Sequence, residues 1–383
     1  MNRPALLASL LLAATLAAGC GSAAGQTAAP ASPAAPPSLA TSLATATGTW
    51  AVTVMGGSAA SHNNFWQLFV RPADAGTWRL ATPPGVASNG GLVLTGLASG
   101  SVLAGFRPSQ DLAYSPLAIT KDNGKAWSPG LLDAGLADVS GALAADPASG
   151  RLLALLTNGT TDISGKGGAR WIRLVTRRGL AASRAGSRCQ PGSATAAAFS
   201  PSGQPLLGAG CGRPGTAGIF SQTGRTWQLT GPALPAAYAH QAITVLRLTT
   251  TGDTTTALLA AGTGPAERLL AGWSADGGAH WTLSPPLPAN GATVTSASSG
   301  PGSSLAVILS DRHAAAITTA TGRWRQLPVL PPGTATLAPA PSGGWDALAV
   351  HSTRLTIWQA PPGARAWSSA QIIKVPIPFG SSG

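Results

Sequence analysis

Short apolar runs alternate with polar, glycine-containing turns along most of the chain. Runs such as residues 151–156 and 304–309 have the length of a buried strand and are too short for a typical helix. The segments between them, such as residues 146–151 and 299–304, carry glycine for positive φ and Asp or Ser for local hydrogen bonds. The pattern predicts an all-β fold of many short antiparallel strands.

A motif of the form S/T-x-D-x-G-x-x-W, here called the box, recurs along the chain. It is complete in two places, residues 120–127 (TKDNGKAW) and 274–281 (SADGGAHW). Shorter copies end at Trp78, Trp227, Trp324 and Trp367, and a seventh copy at residues 176–182 has Ala182 in place of Trp.

These seven motif ends lie 43 to 55 residues apart, which is the length of a four-stranded propeller blade. We therefore predict a single β-propeller over residues 38–383, with seven four-stranded blades or, alternatively, six. The first repeat shows only three strands, and residues 39–47 are the candidate for the fourth.

The box residues make the chain resemble the Asp-box proteins, whose bacterial neuraminidase repeats occur in sialidase-like propellers. The resemblance implies that the boxes are structural turns on the face opposite the active site. In such a turn the carboxylate accepts backbone N–H bonds, the glycine supplies positive φ and the Trp packs over the hairpin. The residues assigned to this structural role are Thr120, Asp122, Gly124, Trp127, Ser274, Asp276, Gly278 and Trp281. His280 occupies a variable position and is expected to be exposed.

The same resemblance implies what a sialidase site would require: an arginine triad, a Tyr nucleophile assisted by Glu, and an Asp acid. The chain has a single Glu, Glu267, and two Tyr, Tyr114 and Tyr238. Tyr238 and Glu267 are the weak candidates for a nucleophile pair. Glycoside hydrolysis requires two carboxylates beside the scissile bond, and most acids here lie in turns. We expect no catalytic site; the alternative is a sialidase-like exo-glycosidase with an atypical one.

Other motifs for chemistry are incomplete. Residues 159–168 resemble a phosphate-binding loop, but Gly167 stands where Ser or Thr would coordinate magnesium. The five histidines never pair at metal-ligand spacing. We expect neither a metal nor another cofactor.

Propeller topology predicts where a ligand would bind. Box turns and the turns between first and second strands share one face, so the loops between second and third strands, and those between blades, share the other. We predict that this second face binds a wall polymer, glycan or protein. Its candidate residues are His62, Arg107, Asp111, Tyr114, Arg213, Glu267, Arg268, Asp311, Arg312 and His313. Also assigned to it are Asn63, Asn64, Asp162, Lys166, Arg170, Tyr238, His240, His351 and Arg354.

The N-terminal sequence predicts export. An apolar run over residues 5–18 ends at Gly-Cys20; it is too short to span a bilayer and is typical of a signal peptide. The sequence LAAGC resembles the lipobox of bacterial lipoproteins, with Ala17 where that pattern prefers Leu, and the resemblance implies a lipid on Cys20. We expect a signal peptide at 1–19, a lipidated Cys and Ala/Pro/Ser-rich tether at 20–37, and a location on the outer face of the bacterial cytoplasmic membrane.

Export also affects the two remaining cysteines. Cys189 and Cys211 lie 22 residues apart and would form a disulfide in an oxidising compartment, contributing roughly 3 kcal/mol. A zinc site is the less favoured alternative, because no His lies near them.

The chain is basic although it is poorly charged. Charged residues make up 9% of its 383 residues, against roughly 25% in an average domain, and the formal net charge is +12. A basic surface would attract anionic wall polymers, phospholipid headgroups or nucleic acid; alternatively, the arginine content is only compositional. Basic residues are densest between Arg170 and Arg188, where neutral residues interrupt them. We expect a monomer that does not bind nucleic acid.

Overall fold

The structure is a computed structural model that describes residues 39, 41–56, 64–83, 91–97, 100–107, 117–128, 140–156, 159–165, 168 and 170–376. All of these belong to one compact unit, Pro33–Gly383. The predicted signal peptide, Cys20 and the predicted tether lie outside the described residues, as do His62, Asn63, Asp111, Tyr114 and Lys166. No helix in the described part of the chain is long and apolar enough to cross a membrane.

The described strands form antiparallel sheets that follow one another along the chain as seven propeller blades, and the prediction of an all-β propeller is confirmed. Blade 1 contains β1 (Ser42–Thr45), β2 (Gly48–Gly56), β3 (Asn64–Pro72) and β4 (Arg79–Leu80); blade 2 contains β5 (Gly91–Gly96), β6 (Val102–Arg107) and β7 (Leu117–Thr120). Blade 3 contains β8 (Ser140–Ala145), β9 (Leu152–Leu156), β10 (Thr161–Ser164) and β11 (Trp171–Val175); blade 4 contains β12 (Pro191–Phe199), β13 (Pro205–Cys211), β14 (Gly218–Thr223) and β15 (Thr226–Leu229).

The last three blades continue the same order. Blade 5 contains β16 (Ile243–Thr251), β17 (Thr254–Ala261), β18 (Arg268–Ser274) and β19 (Thr282–Leu283), with the short β20 (Leu287–Pro288) pairing back onto β18. Blade 6 contains β21 (Val294–Gly300), β22 (Ser304–Leu309), β23 (Ala314–Ile317) and β24 (Arg325–Gln326); blade 7 contains β25 (Thr334–Pro339), β26 (Trp345–His351), β27 (Arg354–Ala360) and β28 (Ser368–Lys374). The sheets of blades 4 and 5 are joined by a single pair, Gly210 with Thr244.

Two faces follow from this connectivity. Turns between first and second strands and between third and fourth strands open on one face, here called the box face. Loops between second and third strands and the connections between blades open on the other, here called the loop face.

The hydrophobic core is divided among the seams between blades. The described residues form seven buried clusters, and each contains side chains from two neighbouring blades. In the seam between blades 3 and 4, for example, Leu153 packs in one cluster with Leu207 and Phe220. Because the protein has no single central core, its apolar surface is fully buried only when every seam is closed.

A box tryptophan enters the seam with the preceding blade in all seven repeats: Trp78, Trp127, Trp171, Trp227, Trp281, Trp324 and Trp367. Three of the indoles donate Nε1–H to a carbonyl just beyond the outer strand of that blade: Trp127 to Ala81 (3.0 Å), Trp281 to Thr230 (2.6 Å) and Trp367 to Pro328 (3.2 Å). The Trp therefore does more than cover its own hairpin, which was the expected role. It joins two blades.

The predicted position of the third box is wrong. Residues 177–182 form helix α1 (Arg177–Ala182), which is followed by α2 (Arg184–Cys189) in the connection between blades 3 and 4. Thr176 and Ser183 cap these helices by accepting hydrogen bonds from Gly179 N (3.0 Å) and Gly186 N (2.9 Å). The sequence TRRGLAA imitates a turn, but its capping Thr starts a helix.

The third box instead lies at residues 164–171. It keeps Ser164, Gly168 at φ +76° and Trp171, and it has Lys166 in place of Asp. Two residues assigned to the loop face are therefore misplaced: Asp162 lies within β10, and Arg170 lies at the box-face end of β11.

Residues 39–47 contain the first strand of blade 1, β1, which pairs with β2 as expected. Before β1 the chain leaves its own blade. Thr41 Oγ1 donates to the carbonyl of Ala297 in blade 6 (2.9 Å), and Leu39 packs against the cluster between blades 5 and 6. Since β1 runs towards the box face, the chain approaches it from the loop face.

Side chains close the ring between blades 7 and 1. The fourth strand of blade 7 is β28, and no described strand pairs across the first and last blades. Arg71 of β3 forms a buried ion pair with Asp346 of β26 and donates to the carbonyl of Pro339 (2.7 Å). Trp78 Nε1 donates to the same Asp346 carboxylate (2.9 Å), and the Arg71 guanidinium lies 5.0 Å from the centre of the Trp78 ring.

Removing one member of this pair should destabilise the ring. We expect Asp346→Leu to lower the free energy of unfolding by about 3–5 kcal/mol, because the buried Arg71 loses its counter-ion. The double variant Arg71→Met/Asp346→Leu removes both charges and should recover most of that loss. Urea unfolding followed by tryptophan fluorescence measures both. A double variant as unstable as the single one would contradict this account.

The seam tryptophans offer a second test with a matched control. Trp281→Phe leaves the Thr230 carbonyl without its indole donor, whereas the Trp324 indole N–H is buried without a partner among the described residues. We expect Trp281→Phe to cost at least about 1 kcal/mol more than Trp324→Phe in the free energy of unfolding. Equal costs would show that the indole hydrogen bond contributes nothing.

Candidate functional site

A cleft of about 260 Å³ opens on the loop face between blades 5 and 6. It brings together apolar and polar side chains from the connection after β19 and from the outer half of blade 6. Its lining residues are Leu287, Pro288, Asn290, Leu309, Asp311, His313, Ala314, Ala315 and Gln326. Two of the predicted ligand-face residues, Asp311 and His313, therefore share one concave site.

The turn between β22 and β23 sets the geometry of this site. Leu309 and His313 close the turn through a backbone bond, Leu309 N to His313 O (2.8 Å). Arg312 adopts φ +70°, which is unusual for a side chain other than Gly. Its guanidinium donates to the carbonyl of Leu330 (2.9 Å) and so attaches the turn to the next blade connection. Arg312 has a positioning role at the cleft.

Asp311 orients the imidazole of His313. The Asp311 Oδ2 and His313 Nδ1 atoms lie 2.8 Å apart, and both side chains are exposed. Burial acts to raise the pKa of Asp311, but hydrogen bonds from the His313 ring and backbone outweigh it and hold the pKa below its usual range. Because Nδ1 is engaged by the carboxylate, Nε2 is the ring atom that can contact a ligand.

The cleft suits the binding of a small polar group with an apolar face. Leu287, Leu309 and the two alanines supply an apolar floor, while Asn290, His313 and Gln326 supply donors and acceptors. Its lining contains one carboxylate, that of Asp311, whereas glycoside hydrolysis uses two. This arrangement can bind a small ligand group and orient it.

The candidate nucleophile pair is not assembled. The Tyr238 ring is 8% exposed and packs in the cluster between blades 4 and 5. Glu267 lies half-buried at the start of blade 5's third strand, and desolvation raises its pKa. Among the described contacts, no hydrogen bond joins the two side chains. Burial of the aromatic ring in a hydrophobic cluster explains why Tyr238 does not line the loop face.

Among the described contacts, Arg268 is the one predicted arginine that contacts Glu267, through its backbone carbonyl. Arg268 Nη1 donates to the backbone carbonyls of Pro265 (3.3 Å) and Glu267 (3.0 Å), so it binds its own turn. Arg213 is exposed and lies beyond the end of β13, and Arg107 is the last residue of β6. These two arginines belong to blades 4 and 2, whereas Glu267 belongs to blade 5.

The acids of the two complete boxes organise their own turns. Asp122 accepts from Ala126 N (3.0 Å) and from Thr120 Oγ1 (2.8 Å). Asp276 accepts from His280 N (2.9 Å) and lies 2.6 Å from His280 Nδ1. These bonds, led by the backbone bond from Ala126 or His280, lower the pKa of both carboxyls.

The glycines and hydroxyls of the boxes complete the same turns. Gly124 and Gly278 have φ +79° and +99° and donate to Thr120 and Ser274 Oγ at 2.8 Å. All of these groups lie on the box face, on the side of the ring opposite the cleft.

Cys189 and Cys211 form a disulfide. The bond fixes the end of α2 to the end of β13, and backbone bonds run alongside it from Gly212 N to Gln190 O (2.9 Å) and from Arg213 N to Cys189 O (3.1 Å). The helix pair is thereby held against blade 4 on the loop face.

Sequence patterns missed half of the cleft. Asn290, Gln326 and Leu287 come from a blade connection and an outer strand, where no motif marks them. The available signal was the long, Pro- and Asn-containing stretch at residues 284–293, because such connections lie on the loop face. A second cleft, of about 220 Å³ between blades 6 and 7, contains no acid or histidine among its lining residues.

Comparisons with known proteins show the fold alone. No protein-family model matches the chain, and no curated protein matches it. Among solved structures, a protein from Lactobacillus plantarum is similar over 86% of this chain and 97% of its own, with 10% identity and a TM-score of 0.55. A candidate 6-phosphogluconolactonase from Bacteroides uniformis is similar over 85% of this chain and 96% of its own, with 14% identity and a TM-score of 0.51. The chain is thus similar in fold to proteins with which it shares little sequence.

Proposed function

We propose that the protein is a non-catalytic propeller on the cell surface, of the Asp-box, sialidase-like type, that binds a wall polymer, glycan or protein through its loop face. The observation that carries the proposal is the cleft between blades 5 and 6, where the Asp311–His313 pair faces an apolar floor. Propellers offer a broad rigid platform for such binding, which is an argument by analogy of fold.

The box turns support the assignment of the binding face. Their acids are occupied by backbone and hydroxyl donors of their own turns, so they serve the fold. The loop face carries the cleft and the helix pair, which interrupt the regular repeat of the blades.

Binding is favoured over hydrolysis because the residues for hydrolysis are not together. Tyr238 is buried between blades, and the cleft is lined by a single carboxylate. A sialidase-like reaction would need a nucleophile and a separate acid at one sugar ring.

Two Asp–His pairs of the same chemistry, one on each face, provide a matched test. His313 belongs to the cleft, whereas His280 is exposed on the box face. With an array of immobilised oligosaccharides and isolated wall fragments as probes, we expect His313→Asn to weaken binding of the full-length chain by about tenfold, the loss of one or two hydrogen bonds. His280→Asn should bind as the wild type.

Equal effects of the two substitutions would contradict the assignment of the face. Turnover of a fluorogenic sialoside or glycoside that is abolished by Tyr238→Phe or Glu267→Gln would contradict the non-catalytic part of the proposal.

The tether is tested separately. We expect Cys20→Ser to move the protein from the membrane fraction to the soluble fraction of the cell, because the lipid would no longer be attached. Fractionation followed by immunoblotting measures the distribution. Unchanged membrane association would contradict lipid anchoring at Cys20.

A further inference from the structure

The positive charge of the chain is concentrated in one sector of the ring. Between Asp162 and Asp253 the sequence has ten basic residues and no acidic one, out of a formal net charge of +12 for the whole chain. This segment forms the outer strand of blade 3, the helices α1 and α2, blade 4 and the first strand of blade 5. The rest of the chain is close to neutral.

Six exposed arginines follow one another along the elements of this sector and are here called the arginine track: Arg170, Arg173, Arg178, Arg184, Arg188 and Arg213. The series begins at the box-face end of β11 and follows that outer strand to the loop face. It continues over α1 and α2 and ends in the loop after β13. The track therefore bends around the rim of blade 3.

The track rests on a rigid support. Leu180 and Ala185 of the two helices are 3% exposed and pack in the seam between blades 3 and 4. The helices touch closely at Gly186, where a Cβ atom would lie 2.0 Å from the carbonyl oxygen of Leu180. The disulfide holds the end of α2. Because the backbone is fixed, binding would require ordering only of the arginine side chains.

Within the described part of the chain, the guanidinium groups of the track are free to contact a ligand. None of the six forms an ion pair or side-chain hydrogen bond with another residue that the structure describes. Asp162, which pairs in register with Arg173, is buried on β10. Arginines elsewhere join blades to each other: Arg71 binds Pro339, Arg79 binds Asn123, Arg151 binds Gly203 and Arg247 binds Ser299.

We propose that the arginine track binds a linear phosphate-bearing polymer. The inference rests on the proposed function and specifies the class of its wall-polymer ligand. Guanidinium groups bind phosphate oxygens in a bidentate manner, and several in series match a chain of repeated phosphates. A flexible chain can follow the track around the rim, whereas a flat bilayer touches only one face. The one aromatic residue among the described residues of the track's outer strand and helices, Trp171, is half-buried against the cluster between blades 2 and 3, which disfavours the stacking of bases and therefore nucleic acid.

The test uses long-chain inorganic polyphosphate and the full-length chain, with affinity measured by calorimetry over a series of salt concentrations. The track variant carries Arg178, Arg184, Arg188 and Arg213 all changed to Gln. The control variant carries the same loss of charge on blades 6 and 7, where Arg323, Arg325, Arg365 and Lys374, all exposed, are changed to Gln.

We expect the track variant to bind at least about tenfold more weakly. Its slope of log affinity against log salt should be shallower by about three, since each phosphate contact contributes about 0.7. The control variant should keep the wild-type slope. A third variant with the four track arginines changed to Lys keeps the charge and should also keep the slope, which separates loss of charge from loss of folding.

Equal losses in the track and control variants would overturn the proposal, because binding would then follow net charge alone. A wild-type slope shallower than about three would also overturn it, because the four track arginines alone should contribute that much. So would tighter binding, at equal phosphate concentration, to phosphatidylglycerol vesicles or to single-stranded DNA, which would assign the track to a membrane or to nucleic acid.

The two proposals fail separately. If the track variant binds polyphosphate as well as the wild type does, while binding of oligosaccharides or wall fragments still depends on His313, only the track proposal is overturned. Intact polyphosphate binding with no effect of His313→Asn would overturn only the cleft.

Discussion

Closure of the seam between blades 7 and 1 is the contact on which the ring depends. In the other seams, neighbouring blades are also neighbours in sequence, so each seam closes only a short loop of chain and costs little conformational entropy. The last seam joins Arg71 to Asp346 across 275 residues. A buried ion pair stabilises a fold little more than apolar packing would, but a misplaced partner leaves a buried charge unpaired. Arg71, Asp346 and Trp78 thus specify which two blades meet.

Regular blades provide the scaffold, and interruptions of the repeat provide the surfaces that bind. The cleft forms where blade 5 adds the short strand β20 in its connection to blade 6. The helix pair with its disulfide occurs in the connection between blades 3 and 4. Both additions open on the loop face, since the connections between blades all lie there. The repeat therefore determines where variation can be accommodated without disturbing a seam.

Much of the fold could be predicted because the residues of local turns mark where its strands end and its blades repeat. In the two complete boxes, Gly at positive φ and a hydroxyl and a carboxylate that accept backbone N–H groups mark the turn, and the spacing of the Trp residues counts the blades. The third box was missed because Lys166 replaces its Asp, while the TRRGLAA sequence imitated it. What defines that box physically is Gly168 and Trp171, which form the turn and fill the seam; the acid contributes only hydrogen bonds within the turn.

The site was less predictable because it depends on contacts between blades. Asp311 and His313 could be assigned to the loop face from their position after β22, but Asn290 and Gln326 reach the cleft from separate elements. Tyr238 was assigned to that face from its place in a connection, and its burial follows from packing that no local pattern records. The acid-free interval between Asp162 and Asp253 is visible in the sequence; that the six arginines of the track form no ion pair with another described residue is seen only in the structure.

The path of the chain before blade 1 has a mechanical consequence. Thr41 and Leu39 attach to blade 6, and β1 is only four residues long. Tension on the N-terminal side would therefore be carried first by the inner edge of the ring, through the Thr41–Ala297 bond and the short β1–β2 ladder. Those contacts would yield before the outer strands bear any load. The first strand would be the first element pulled out, so force would act on the propeller's centre before it reached the rim.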